Sequence, residues 1–102
     1  MKKLFVLCGA CVFLVAGCVT APAPIQEYAL ARAAIDAAHA VEAPRHSPGY
    51  WSQAEESYRR AKILFNDRDY EEAQQEFVRA RIAAEKAENA ARWLRQKNGE
   101  VL

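Results

Sequence analysis

Apolar residues recur at alternating spacings of three and four along most of this chain, which is the period of one helical face. Tyr28, Ala31, Ile35 and Ala38 form the first such stripe and predict an alanine-rich helix from Ile25 to about Val41. Glu42 to His46, centred on Pro44, breaks the pattern and predicts a loop. Ser47-Pro48 then marks a helix start, with a hydroxyl able to accept an orphan N–H and a proline where its missing donor is harmless. Trp51, Ala54, Tyr58, Ala61 and Phe65 carry the second stripe. Asn66-Asp67-Arg68 is a connection so short that it implies antiparallel neighbours. The third stripe is the longest: Tyr70, Ala73, Phe77, Ala80, Ala84, Ala87, Ala91 and Leu94. Asp69 with Glu72 reads as a capping box with Asp in place of Ser or Thr, and Asn98-Gly99 reads as the stop.

These elements define an all-α fold: a three-helix antiparallel bundle with a long C-terminal helix. At 1.5 Å per residue, a third helix of roughly 28 residues spans about 40 Å, against about 26 Å for the second. The third helix is therefore expected to overhang from near Ala87 to Arg95. Its seam stays in register there, through Ala87, Ala91 and Leu94, with Trp93 beside it. A stripe that outruns its intramolecular cover asks for another surface, so these four residues are the expected partner contacts, either to a second copy or to another protein.

A different pattern occupies the N-terminus. Lys2 and Lys3 precede an almost wholly apolar run from Leu4 to Ala16, about as long as a secretory h-region and short of the roughly 20 residues a spanning helix needs. It closes on Val15-Ala16-Gly17-Cys18, which resembles the bacterial lipobox: small residues that let extended backbone enter the peptidase, then a cysteine whose thiol is acylated. The expected organisation is a lipoprotein signal peptide over 1–17 cleaved between Gly17 and Cys18, a lipidated Cys18 with a proline-rich tether over 18–24, and a helical domain over 25–102. Palmitate or another fatty acid on Cys18 would anchor the chain. The tether, at about 3.1 Å per residue, reaches roughly 20 Å, which keeps the domain near the membrane. Val19 lacks the aspartate that retains enterobacterial lipoproteins in the inner membrane, so the resemblance implies the periplasmic face of the outer membrane.

Processing changes the chemistry that remains. The loss of Lys2 and Lys3 turns 14 basic residues against 13 acidic into 12 against 13. So even a balance gives no basic face for nucleic acid and no polybasic patch for anionic lipid. Cys8 and Cys11 leave with the signal and Cys18 is consumed in a thioether, so the Cys8-x-x-Cys11 pair is no redox motif and the mature domain has no disulfide. Helix packing, the anchor or a partner must hold it.

Leu30-Ala31-Arg32-Ala33-Ala34-Ile35, Ala54 with Tyr58 and Ala61, and Asp69-Tyr70-Glu71-Glu72-Ala73, together with the lipobox, resemble the small bacterial lipoproteins that carry the domain of unknown function numbered 4398. The resemblance covers essentially the whole mature chain and implies a helical periplasmic module with no assigned chemistry. The last two helices also resemble one tetratricopeptide unit. Tyr70, Ala73, Phe77 and Ala80 match its second helix, and Ala61 and Leu64 match two positions of its first. Ser57 stands where that repeat usually has tryptophan, Glu85 where it has its closing proline, and no second copy follows.

Catalytic patterns are lacking. His39 and His46 do not have the spacing of a metal pair and read as solvated residues, so no metal and no cofactor are expected. Glu71-Glu72 lies at a helix start, where acids complement the dipole. Ser47, Ser52 and Ser57 have no base arranged beside them. Tyr50, Trp51, Tyr58, Phe65, Tyr70 and Phe77 are expected to cluster as core between the last two helices. The chain reads as no enzyme. It is expected to act as a structural or protein-interaction module of the cell envelope, with a peptidoglycan- or peptide-binding module as the alternative.

Overall fold

The computed structural model describes residues 21–99, and the signal segment, Cys18 and Val19 lie outside them. Four helices follow one another: α1 (Ile25–Ala40), α2 (Ala43–His46), α3 (Pro48–Asn66) and α4 (Tyr70–Lys97). The three long ones run up, down and up. The start of α1 meets the end of α3 and the start of α4, where Tyr28 lies 5.4 Å from Phe65 and 4.6 Å from Phe77 between ring centroids. α4 packs along both other long helices, which touch each other far less. The expected all-α bundle is what the chain forms, with one helix more than the three expected.

All three apolar stripes turn inward. Ala31 and Ala38 of α1, Ala54 and Ala61 of α3, and every member of the α4 stripe from Ala73 to Ala91 are buried. Alanine at so many contacts lets the backbones approach closely but removes little apolar area per residue, so each large side chain in the core matters more. Phe77 is the one fully buried large side chain among the described residues. α4 also buries Glu76 and Ala83, which flank its stripe. Sandwiched between two helices, it needs a wider face than a single seam supplies.

The junctions depart from the expected capping. The loop expected at Glu42–His46 is instead a left-handed residue, Glu42 at φ 59°, followed by the short α2. The amides of Arg45 and His46 both donate to the Glu42 carbonyl at 3.0 Å, with Pro44 inside the first turn where it needs no donor. Ser47 caps α3 without its hydroxyl, and Asp69 caps α4 without its carboxylate, so no capping box forms. Asp69 sits at φ −83° and ψ 67°, off the extended geometry that lets a cap side chain reach back. Its amide is taken by the helix before it: Asp69 N–H donates to the Leu64 carbonyl at 2.9 Å and Arg68 N–H to Phe65 at 3.1 Å. Arg68 lies at φ 64° between them, which makes this a Schellman closure with arginine where glycine is usual. Asn98-Gly99 ends α4 as expected, with Gly99 at φ 77°.

The expected overhang of α4 does not exist. Ala87 and Ala91 have no exposed surface and belong to one cluster with Ala38, Val41, Ala43, Ala54, Ala83 and Ala84. Val41 and the extra turn of α2 lengthen the cover that α1 and α3 provide, and Ala34, Ile35 and Trp51 pack against the same cluster.

Candidate functional site

The four expected partner-contact residues separate into two kinds. Ala87 and Ala91 are core of the monomer and are corrected as surface contacts. Leu94 is half-buried, and Trp93 is 64% exposed on the outer side of α4. Cys18 and Gly17 lie outside the described residues.

The expected aromatic cluster is rearranged as well. Tyr58, Phe65, Tyr70 and Phe77 do meet, but Tyr28 of α1 completes the group, with its ring 5.9 Å from Tyr58. Trp51 sits toward the other end of the bundle, 5.9 Å from the exposed His39 ring, and Tyr50 faces solvent. Burial, reinforced by a hydrogen bond with Tyr28, raises the Tyr58 phenol above its ordinary value near 10. The cluster is filled by its own rings. His46 corrects a second expectation: only 9% of its side chain is exposed, with Nε2 3.6 Å from a Glu42 carboxylate oxygen. Among the described residues, no group of His, Cys, Asp and Glu could hold a metal ion, and no helix is long and apolar enough to cross a membrane.

One concave surface brings polar chemistry together. It is an open groove of about 300 Å³ between α3 and α4, with Arg60, Arg79 and Lys86 in its lining. At one end lies Glu76, 8% exposed, one turn before Arg79. Its Oε1 accepts from Arg79 Nη1 at 3.1 Å and lies 3.8 Å from Arg60 Nη1, so two arginines from different helices meet on one carboxylate oxygen. Arg60 also donates to Glu56 at 3.1 Å. Glu76 Oε2 is buried and has no hydrogen-bond partner among the described residues. Such a carboxylate is costly to bury alone, and the two guanidinium groups compensate it. The pairing of Glu56 with Arg60, one helical turn apart, is part of this arrangement, whereas the role of Glu76 carried no sequence signal, because an acid next to an apolar seam ordinarily turns outward.

Close helix packing and an alanine-lined core define an all-α module over the described residues. Residues 26–99 match the family described as Domain of unknown function (DUF4398), and the chain belongs to that family. No curated protein and no solved structure matches the chain.

Proposed function

We propose that this protein is a lipid-anchored module of the bacterial cell envelope that works by holding another envelope protein near the membrane. The observation that carries the reading is Val15-Ala16-Gly17-Cys18 closing an apolar run behind Lys2 and Lys3. Two or three acyl chains, at about 0.8 kcal/mol per buried methylene, make a stable anchor where one would be marginal. The prolines at 22 and 24 then lead into α1. Val19 favours the outer membrane, with the bundle on the periplasmic face. A bundle that spends its helices on packing one another, with a TPR-like hairpin in α3 and α4, suits docking better than chemistry, and we assign no catalytic role.

The test is metabolic labelling with a clickable fatty acid. The wild-type chain takes up label and Cys18→Ser does not, and the wild type fractionates with the outer membrane. Equal labelling of both would refute the anchor, and recovery with the inner membrane would refute the sorting. The second reading, a peptide-binding module, is favoured by the groove of Arg60, Arg79 and Lys86.

A further inference from the structure

We propose that the groove between α3 and α4 is a docking site for an extended, carboxylate-bearing peptide segment of a partner protein. The proposal rests on the interaction-module reading and names the surface and the chemistry through which it would act.

The groove is built from two matched helical faces. Glu56 and Arg60 of α3 lie one turn apart, as do Arg79 and Ile82, and then Ile82 and Lys86, of α4, so the same period that makes the core lays a second stripe along its rim. What distinguishes this rim from an ordinary solvated face is Glu76. Its buried carboxylate draws Arg60 and Arg79 toward one another from separate helices. Each guanidinium has five donors, and one carboxylate oxygen engages few of them. The Arg60 and Arg79 side chains remain 54% and 67% exposed, so donors remain for a second acceptor. Lys86 forms no ion pair among the described residues. The local balance is three cations against Glu56 and Glu76, which favours an anionic occupant.

The rest of the lining selects a peptide over a bare anion. Ile82 is 40% exposed between Arg79 and Lys86 and offers an apolar contact to a side chain. Gln53 and Ser57 add neutral donors and acceptors along the same wall, the complement of a peptide backbone. Arg60 and Arg79 sit together at Glu76 and Lys86 lies two turns further along α4, so two acidic side chains on one side of an extended segment would meet the arginine pair and the lysine in turn.

The experiment is an NMR titration of the full chain in uncharged detergent micelles, with acetyl-Ala-Glu-Leu-Glu-Ala-amide as the probe. Its glutamine counterpart and inorganic phosphate serve as comparisons. The expected result is amide shifts confined to residues 53–60 and 79–86, with binding at least about fivefold weaker for the glutamine peptide. The double variant R79Q/K86Q should lose a similar factor but also melt lower, because it takes one guanidinium from the buried Glu76 carboxylate. K86Q, which leaves both arginines on Glu76, should weaken binding by about twofold at an unchanged melting temperature, and R45Q, away from the groove, should change nothing. No shifts, shifts elsewhere, equal shifts with the glutamine peptide, or equal competition by phosphate would overturn the proposal. So would a self-association abolished by R79Q/K86Q, which would give the groove to a second copy of the chain. A silent groove with intact fatty-acid labelling removes this proposal alone, whereas an occupied groove on an unlabelled chain removes only the anchor.

Discussion

Tyr28, in the first full turn of α1, lies with its ring 4.6 Å from that of Phe77 in α4, the two planes tilted by 34°. This contact fastens the first helix to the last at the end of the bundle where Tyr58 and Phe65 also converge. A second tie lies close by, where Gln74 donates to Glu27 at 3.1 Å. With Phe77 the one large side chain fully out of solvent among the described residues, its loss cannot be shared among other bulky residues. Phe77→Ala is expected to destabilise the domain by about 3–5 kcal/mol. That rivals the total stability of a domain this small. Thermal denaturation followed by circular dichroism should show a largely unfolded variant, whereas Phe77→Leu should retain a cooperative transition at reduced temperature.

The second prediction separates core from surface on α4. Ala91 is fully buried and Trp93, two residues on, is 64% exposed. Ala91→Glu must place a methylene and a carboxylate into an alanine cluster, combining overpacking with an unpaired buried charge. It should unfold the monomer or lower its stability by about 3 kcal/mol or more. Ala91→Gly, which only removes a methyl and adds backbone freedom, should cost about 1 kcal/mol. A fully folded Ala91→Glu monomer would mean that α4 is uncovered there.

Local periodicity made most of this fold legible. Every three-four stripe in the sequence faces inward, its alanines and Phe77 buried and its other large members half-buried, because α1, α3 and α4 each have one face that packing must hide. The overhang was misjudged for a reason that lies in Glu42 to His46. Proline and the absence of a stripe read as a loop, but four residues of helix need no stripe, and Ala43 adds cover to the cluster that holds Ala87 and Ala91. No capping box closes at Asp69 because a Schellman closure, which depends on the backbone of Arg68, takes the amide from which the Glu72 carboxylate would accept in that box. The groove was hidden for a related reason. Arg60 and Arg79 each look like ordinary surface charge until the hairpin sets them on either side of Glu76.

Arg68 supplies the third prediction. It holds φ 64°, a conformation that burdens a residue with a Cβ by about 1 kcal/mol and leaves glycine unstrained. Its side chain is exposed, so little packing is lost on removing it. Arg68→Gly is expected to raise the stability by about 0.5–1 kcal/mol, seen as a higher urea midpoint at unchanged slope. Arg68→Val, β-branched in the same geometry, should lower it by at least as much. A lower midpoint for the glycine variant would show that the arginine side chain contributes more than its backbone strain removes.

The last prediction follows from Tyr58. Burial, then the hydrogen bond with Tyr28, hold its phenol above the ordinary value near 10. The neutral form is therefore favoured in the folded state relative to the unfolded one. The sign follows by linkage: the contribution of this group is fully present below the unfolded pKa and is lost as pH rises from about 10 through the raised folded value. Stability should be insensitive to Tyr58 at neutral pH and should fall on the alkaline side. Tyr58→Phe removes the titrating group but also the hydrogen bond to Tyr28, so it should begin from a slightly lower plateau and decline less steeply above pH 10. Tyr28 interacts with the same group, and Tyr28→Phe should bring the Tyr58 transition in the tyrosinate absorbance to lower pH without abolishing it. An alkaline decline of equal slope in wild type and Tyr58→Phe would assign the loss to other groups and refute the link between this phenol and the integrity of the aromatic end of the bundle.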